Sequence, residues 1–181
     1  MDITMRISKS KILKYASLYD KKYRMSDALI ETEIKEILKK RKPKFLTRNE
    51  LCKIGKWKSP RIKKHCLNPD NDERTVRDIS KFSFSTKSER AKIESLFVFK
   101  GVSWPVASTI LHFAFPDKYP ILDFRVLESM GWGKPTQYDF KFWQDYCSYL
   151  RKLATKYKIS LRVLDKALWQ ISKDKILSKR R

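Results

Sequence analysis

Five consecutive residues, Lys100, Gly101, Val102, Ser103 and Trp104, have the types that hold an anion. Gly101 permits a backbone corner that residues bearing a Cβ resist. Ser103 is placed to begin a helix, and Pro105 is tolerated within a first helical turn. A helix N-terminus directly after a glycine corner presents free N–H groups to an anion, here beside the Lys100 ammonium. The segment before it, ERAKIESLFVF, reads as an amphipathic helix capped by Thr86 or Ser88. The unit is therefore a helix, a tight hairpin and a second helix, with a phosphate-sized pocket at the hairpin.

Residues 101–116 carry no Lys, Arg, Asp or Glu, in a chain of formal net charge +22. This apolar run predicts a fully buried helix over 104–115. Asp123 follows it at the head of DFRVLESMG. Asp123 has two readings. It is a plain helix N-cap, a role worth about 1 kcal/mol, or it is a carboxylate in an active site. His112 sits on the apolar helix and reads as a satisfied core histidine. Trp132, Trp143 and Trp169 read as core aromatics.

The charge is concentrated. Residues 35–64 hold thirteen Lys and Arg against two Glu, a net +11. Such an excess costs self-repulsion that an anionic partner offsets. A groove tracking phosphates would use Lys56, Lys58 and Arg61 from this stretch. Solvated helix faces would show the same composition. Trp57 stands among these bases in KWKSPR, either to stack on a base or to anchor the turn to the core. KKRKPK at 39–44 also fits a nuclear-localisation pattern, which arises freely in basic chains.

FKGVSWPVASTIL followed by YPILDFRV resembles the helix-hairpin-helix DNA glycosylase superfamily. The 16-residue step from Ala107 to Asp123 and the wording PILD most resemble its adenine-specific mismatch glycosylases. The likeness runs over residues 89–131. It implies that residues 100–104 hold a DNA phosphate through backbone N–H groups. It implies that Asp123 is the catalytic carboxylate, stabilising an oxocarbenium-like sugar or orienting a water. The base first leaves the stack, at a cost of a few kcal/mol. Tyr119 and Trp104 flank the implied pocket and offer rings to an everted base, and His112 is the other base-pocket candidate.

The chain also departs from that family. Pro105 stands where bifunctional members carry a lysine nucleophile, so no Schiff-base lyase step is expected. Ser103 replaces the second hairpin glycine. The cysteine cluster that follows the catalytic region in the family is missing, since only Cys147 lies there. No match is found to the extra glutamate of the adenine-removing members, so their substrate is not carried over.

The elements that must position these residues are helical. Gly is scarce, with 4 in 181 residues, and β-branched alternation is rare. Residues 7–20 show helical apolar spacing. Residues 26–41 form an amphipathic helix with Ser26 as N-cap, acid early and base late. Thr47 and Glu50 make a capping box, and Gly55 ends the short helix they begin. NPDNDE at 68–73 is an acidic turn. Gly131 closes the helix headed by Asp123. A long aromatic-rich helix follows from Tyr138, then a last helix capped by Ser160 and a basic tail, ILSKRR.

The expected fold is all-α: one compact domain over 1–181 of about nine helices, with 68–73 the best place for a break between lobes. No run of roughly 18 apolar residues is present, so no spanning helix is expected. The first twenty residues lack the apolar stretch of a secretory signal. Cys52, Cys66 and Cys147 are odd in number and widely spaced, which suits reduced thiols in an intracellular, DNA-associated protein. No metal or other cofactor is expected. The expected partner is double-stranded DNA, met by a monomer. The leading expectation is a monofunctional DNA glycosylase. The rivals are a DNA-binding module without chemistry and an RNA-binding protein.

Overall fold

Apolar residues at helical spacing and a polar cap before nearly every run dictate the architecture. The computed structural model of the chain describes residues 7–23, 25–133 and 135–178. Among them every regular element is helical. They are α1 (Lys9–Lys22), α2 (Met25–Lys40), α3 (Arg48–Lys58), α4 (Glu73–Ser85), α5 (Glu89–Glu94), α6 (Trp104–Ala114), α7 (Phe124–Met130), α8 (Phe140–Tyr157) and α9 (Leu161–Ser178). Short 3₁₀ turns cover Pro60–His65, Pro69–Asn71 and Ser95–Val98. Among the described residues, no helix is long and apolar enough to cross a membrane.

The chain divides into two units, residues 24–119 and residues 1–23 with 120–181. In the central unit α6 packs against α2, α3 and α5. Every residue of α6 from Val106 to Ala114 is buried, which is why this stretch carries no charge. Thr47 heads α3 as expected: its hydroxyl accepts from Glu50 N at 3.2 Å and Glu50 Oε2 accepts from Thr47 N at 2.9 Å. Arg41, just beyond α2, grips the same carboxylate with two N–H···O bonds of 2.7 and 2.8 Å. The end of α2 is thus tied to the start of α3.

In the other unit α1 runs along α9, and α7 and α8 also pack on α9. Ile12, Val126, Leu127, Tyr146, Leu150, Leu164 and Leu168 are buried there. The Tyr157 hydroxyl at the end of α8 donates to Ile7 O at 2.7 Å, which fixes the segment leading into α1. Gly131 takes a left-handed φ of 74° and ends α7 as expected. The Ser160 hydroxyl accepts from Val163 N at 3.2 Å at the head of α9.

Several local expectations move. Gly55 does not end α3; it is buried inside a helix that continues to Lys58. A Cβ there would lie 2.6 Å from Ile62 Cγ2, so glycine is required by the close approach of Ile62. Helix α2 already includes Met25, which places Ser26 within the helix rather than at its N-cap. Ser88, not Thr86, caps α5, accepting from Ala91 N at 3.1 Å. Helix α8 starts at Phe140 under an Asp139 cap. The acidic turn 68–73 lies inside the central unit. The last residues of the basic tail, 179–181, lie outside the described residues, as does Lys134 of the turn before α8.

Candidate nucleic-acid interface

The turn at 99–102 closes through Val102 N donating to Phe99 O at 3.1 Å. Gly101 holds φ +84°, the third-position geometry that type II turns reserve for glycine. A Cβ on Gly101 would meet the His65 ring at 2.6 Å from Cδ2. Asn71, 3% exposed, clamps the turn from below. Its Oδ1 accepts from Lys100 N at 2.9 Å, and its Nδ2 donates to Lys100 O and to His65 O, both at 3.1 Å. Both polar groups of the Lys100 backbone are therefore fixed by one side chain.

Beyond this turn Ser103 occupies the N-cap position of α6 with extended backbone, but its hydroxyl makes no capping bond. The first helical bond runs from Ala107 N to Ser103 O, and Pro105 has no N–H. The N–H groups of Trp104 and Val106 so lack an acceptor within their helix. Ser103 and Gly101 are exposed and Val102 is half-buried. Trp104 is half-buried, its ring edge-on to Phe97 at 4.8 Å. The Lys100 ammonium lies 3.4 Å from Asp70 in an exposed pair that water screens.

The bases expected to join this surface are on neighbouring elements. Lys56 and Lys58 lie in the last turn of α3, where positive charge also suits the helix dipole. Arg61 is exposed on the 3₁₀ turn that ends at His65, the residue packed on Gly101. Trp57 anchors the segment: its Nε1 donates to Asp27 O at 3.2 Å and its ring edge meets Phe113 at 5.2 Å.

His112 and Tyr119 do not line an open pocket; each is 0% exposed. His112 Nδ1 lies 2.8 Å from Tyr119 O and its Nε2 lies 3.1 Å from Lys35 Nζ. Since the ammonium only donates, Nε2 accepts from it and Nδ1 carries the proton given to the carbonyl. The Tyr119 hydroxyl donates to the Glu89 carboxylate at 2.9 and 3.0 Å. Burial pushes the Glu89 carboxyl up, but hydrogen bonds from Lys118 and Tyr119 outweigh it and hold it below its ordinary value.

Asp123 belongs to the other unit. It is half-buried and caps α7, its Oδ1 accepting from Arg125 N at 2.9 Å. Burial, and then the field of Asp123, push the Tyr138 hydroxyl up. The wholly buried Tyr146 is raised by burial, then by Asp165 and Asp123, and donates to Ile121 O at 2.6 Å. Asp123 thus stands among tyrosines whose hydroxyls stay protonated.

Sequence reasoning did not single out Asn71, His65, Arg48 or Leu67. Arg48 Nε donates to Cys66 O at 3.1 Å and its Nη2 to Asn68 O at 2.9 Å. These bonds pin the backbone on both sides of Leu67, which is 84% exposed. A leucine directly before the turn formers NPDN was the available signal. No family model matches the chain, and neither a curated protein nor a solved structure matches it.

Proposed function

We propose that the protein binds double-stranded DNA and removes a base from it as a monofunctional glycosylase. The observation that carries this reading is the Asn71-clamped turn at 99–102, opening onto an α6 N-terminus whose cap hydroxyl is unused. Lys100 N and Val102 N are engaged within the turn, so the N–H groups offered to a phosphate are those at the head of α6, Trp104 and Val106. The Lys100, Lys56, Lys58 and Arg61 charges hold the flanking backbone, within a chain of net charge +22. Leu67 supports the same reading, since an exposed apolar side chain on a backbone held by Arg48 is the type that enters a base stack.

In this reading Asp123 acts on the everted nucleotide. The C1′–N bond breaks, and the base departs with the electron pair. The Asp123 carboxylate stabilises the positive charge left on the sugar. A water oxygen then adds to C1′, and the proton it loses is taken up by the departed base, leaving an abasic site and the neutral base. Pro105 cannot form an imine, so the strand stays intact.

A second reading, DNA binding without chemistry, is favoured by the bond from Arg125 N to Asp123 Oδ1, which accounts for the aspartate as a cap. One experiment separates the two. Wild type and Asp123→Asn are incubated with duplexes carrying uracil, oxidised, alkylated, mismatched and hypermodified bases, then treated with alkali. Excision predicts strand breaks that need both alkali and Asp123, with binding unchanged in the variant. Tight binding with no breaks across the panel overturns the enzymatic reading. Preference for an RNA competitor over duplex DNA overturns both.

A further inference from the structure

A cavity of about 520 Å³ opens between α2 and the end of α6, wholly within the unit 24–119. Its volume falls in the range of small-ligand sites, roughly 300–1,000 Å³. Phe113, Ala114, Phe115 and Pro116 give it an apolar floor. Lys35, Lys39, Lys44 and Lys118 stand around it, against Glu36 and Asp117. His112 and Tyr119 lie behind its wall: Lys35 contacts the one, and Lys118 shares Glu89 with the other.

The four lysines are not equivalent. Lys35 is paired with Glu31 at 2.7 Å and Lys118 with Glu89 at 2.8 Å, and the exposed Lys39 lies 4.0 Å from Glu36 in a pair that water screens. Lys44 has no carboxylate partner among the described residues; its ammonium donates to Leu38 O. Behind Phe115, the 5% exposed Lys92 likewise meets only carbonyls, Ser83 O at 2.9 Å and Thr86 O at 2.7 Å. Both ammonium groups face the Phe115 ring, at 5.7 and 5.6 Å from its centre. Of the two, Lys44 is the cation that lines the cavity, and its acceptor is a neutral carbonyl, whereas the field of Glu89 partly offsets the charge of Lys92. Burial, then the nearby Lys42, push the Lys44 ammonium down from its ordinary value; burial also lowers Lys92, against the opposing field of Glu89. A ring face and a proline offer stacking surface beside that charge.

We infer that this cavity binds a nucleoside monophosphate, its phosphate near Lys44 and Lys39 and its base over Phe115 and Pro116. The ligand needs both parts: the planar apolar body for the floor, and the dianion for the two lysines. The site is separate from the turn at 99–102 and stands or falls without the excision reading.

The test is calorimetric titration of the full chain with dAMP, dCMP, deoxyadenosine and inorganic phosphate. The monophosphates bind with one-to-one stoichiometry, and deoxyadenosine or phosphate alone binds about tenfold or more weakly, the loss of one charge-assisted contact or of the stacking surface. Lys44→Gln weakens dAMP about tenfold, while Lys87→Gln, at an exposed lysine, leaves it unchanged. Lys39→Gln, whose parent side chain is 77% exposed, repeats the test where folding is not at stake. A 5′-phosphorylated tetranucleotide that displaces dAMP extends the site to strand ends; one that does not restricts it to free nucleotides. Phosphate binding as tightly as dAMP, no binding of either monophosphate, or equal dAMP affinity in Lys44→Gln, Lys39→Gln and Lys87→Gln overturns the inference.

Discussion

Asn71 joins two stretches of chain with one buried amide, and that is where the candidate interface is most sensitive. Asn71→Ala leaves Lys100 N–H and two carbonyls without their partner, at a cost of about 2 kcal/mol. Urea unfolding reads that loss directly. Gly101→Ala combines a left-handed φ of +84° with a Cβ driven into the His65 ring. It destabilises by about 2 kcal/mol, and on the proposed reading weakens duplex binding beyond what the lost stability explains. Asp123→Asn differs in kind. The amide oxygen still accepts from Arg125 N, so the melting temperature stays close to wild type. An unchanged melt with lost excision assigns chemistry to the carboxylate; a large drop in melting temperature instead marks Asp123 as structural. Leu67→Ala, at an exposed position, leaves stability unchanged and lowers duplex affinity in a filter-binding titration; equal affinity removes Leu67 from the interface.

At the scale of elements, the α2–α3 connection is a pH-sensitive joint. Burial pushes the Glu50 carboxyl up, but the Arg41 guanidinium and the Thr47 backbone and hydroxyl groups outweigh it and hold it below its ordinary 4.5. A depressed folded value means the unfolded chain takes up the proton first as pH falls. The stability from this network is therefore complete above 4.5 and is lost as pH drops through the folded value. Denaturant midpoints measured from neutral pH into the acid range should fall for wild type and fall less steeply for Glu50→Gln, which starts lower. The local logic of such joints was readable. Thr47 with Glu50, Asp123 and Ser160 are caps because their bonds run two or three residues along the chain. Gly55 was misread because its reason, the Ile62 side chain resting on it, is a tertiary contact. Asn71 was invisible for the same cause: its partner Lys100 is 29 residues away, and a buried Asn in NPDNDE reads as one more turn former. The burial of His112 and Tyr119 was only half legible. The apolar run around His112 pointed inward, but nothing local indicated that Glu89 would hold Tyr119.

For the whole molecule the net charge of +22 sets the solution behaviour of any complex with nucleic acid. Four assigned bases neutralising four phosphates give a slope of about −4 in log affinity against log salt. Lys56→Gln with Arg61→Gln should reduce that slope by about 2. A flat response in wild type removes nucleic acid as the partner. The all-helical fold was legible from spacing and from the scarcity of glycine, whereas the division at 23/24 and 119/120 was not. No composition shift marks it, because the first helix joins the last ones through contacts far apart in sequence. The acidic turn that resembled a boundary is instead the seat of the Asn71 clamp. This bears on anyone who would engineer the turn. Residues 99–104 are not a portable cassette: transplanted alone, they lose the amide that holds Lys100 and the imidazole packed on Gly101. Any graft must run at least from His65 to the start of α6 and keep the Arg48 contacts to Cys66 O and Asn68 O, and a chimera built on anything shorter inherits the letters of the motif without its shape.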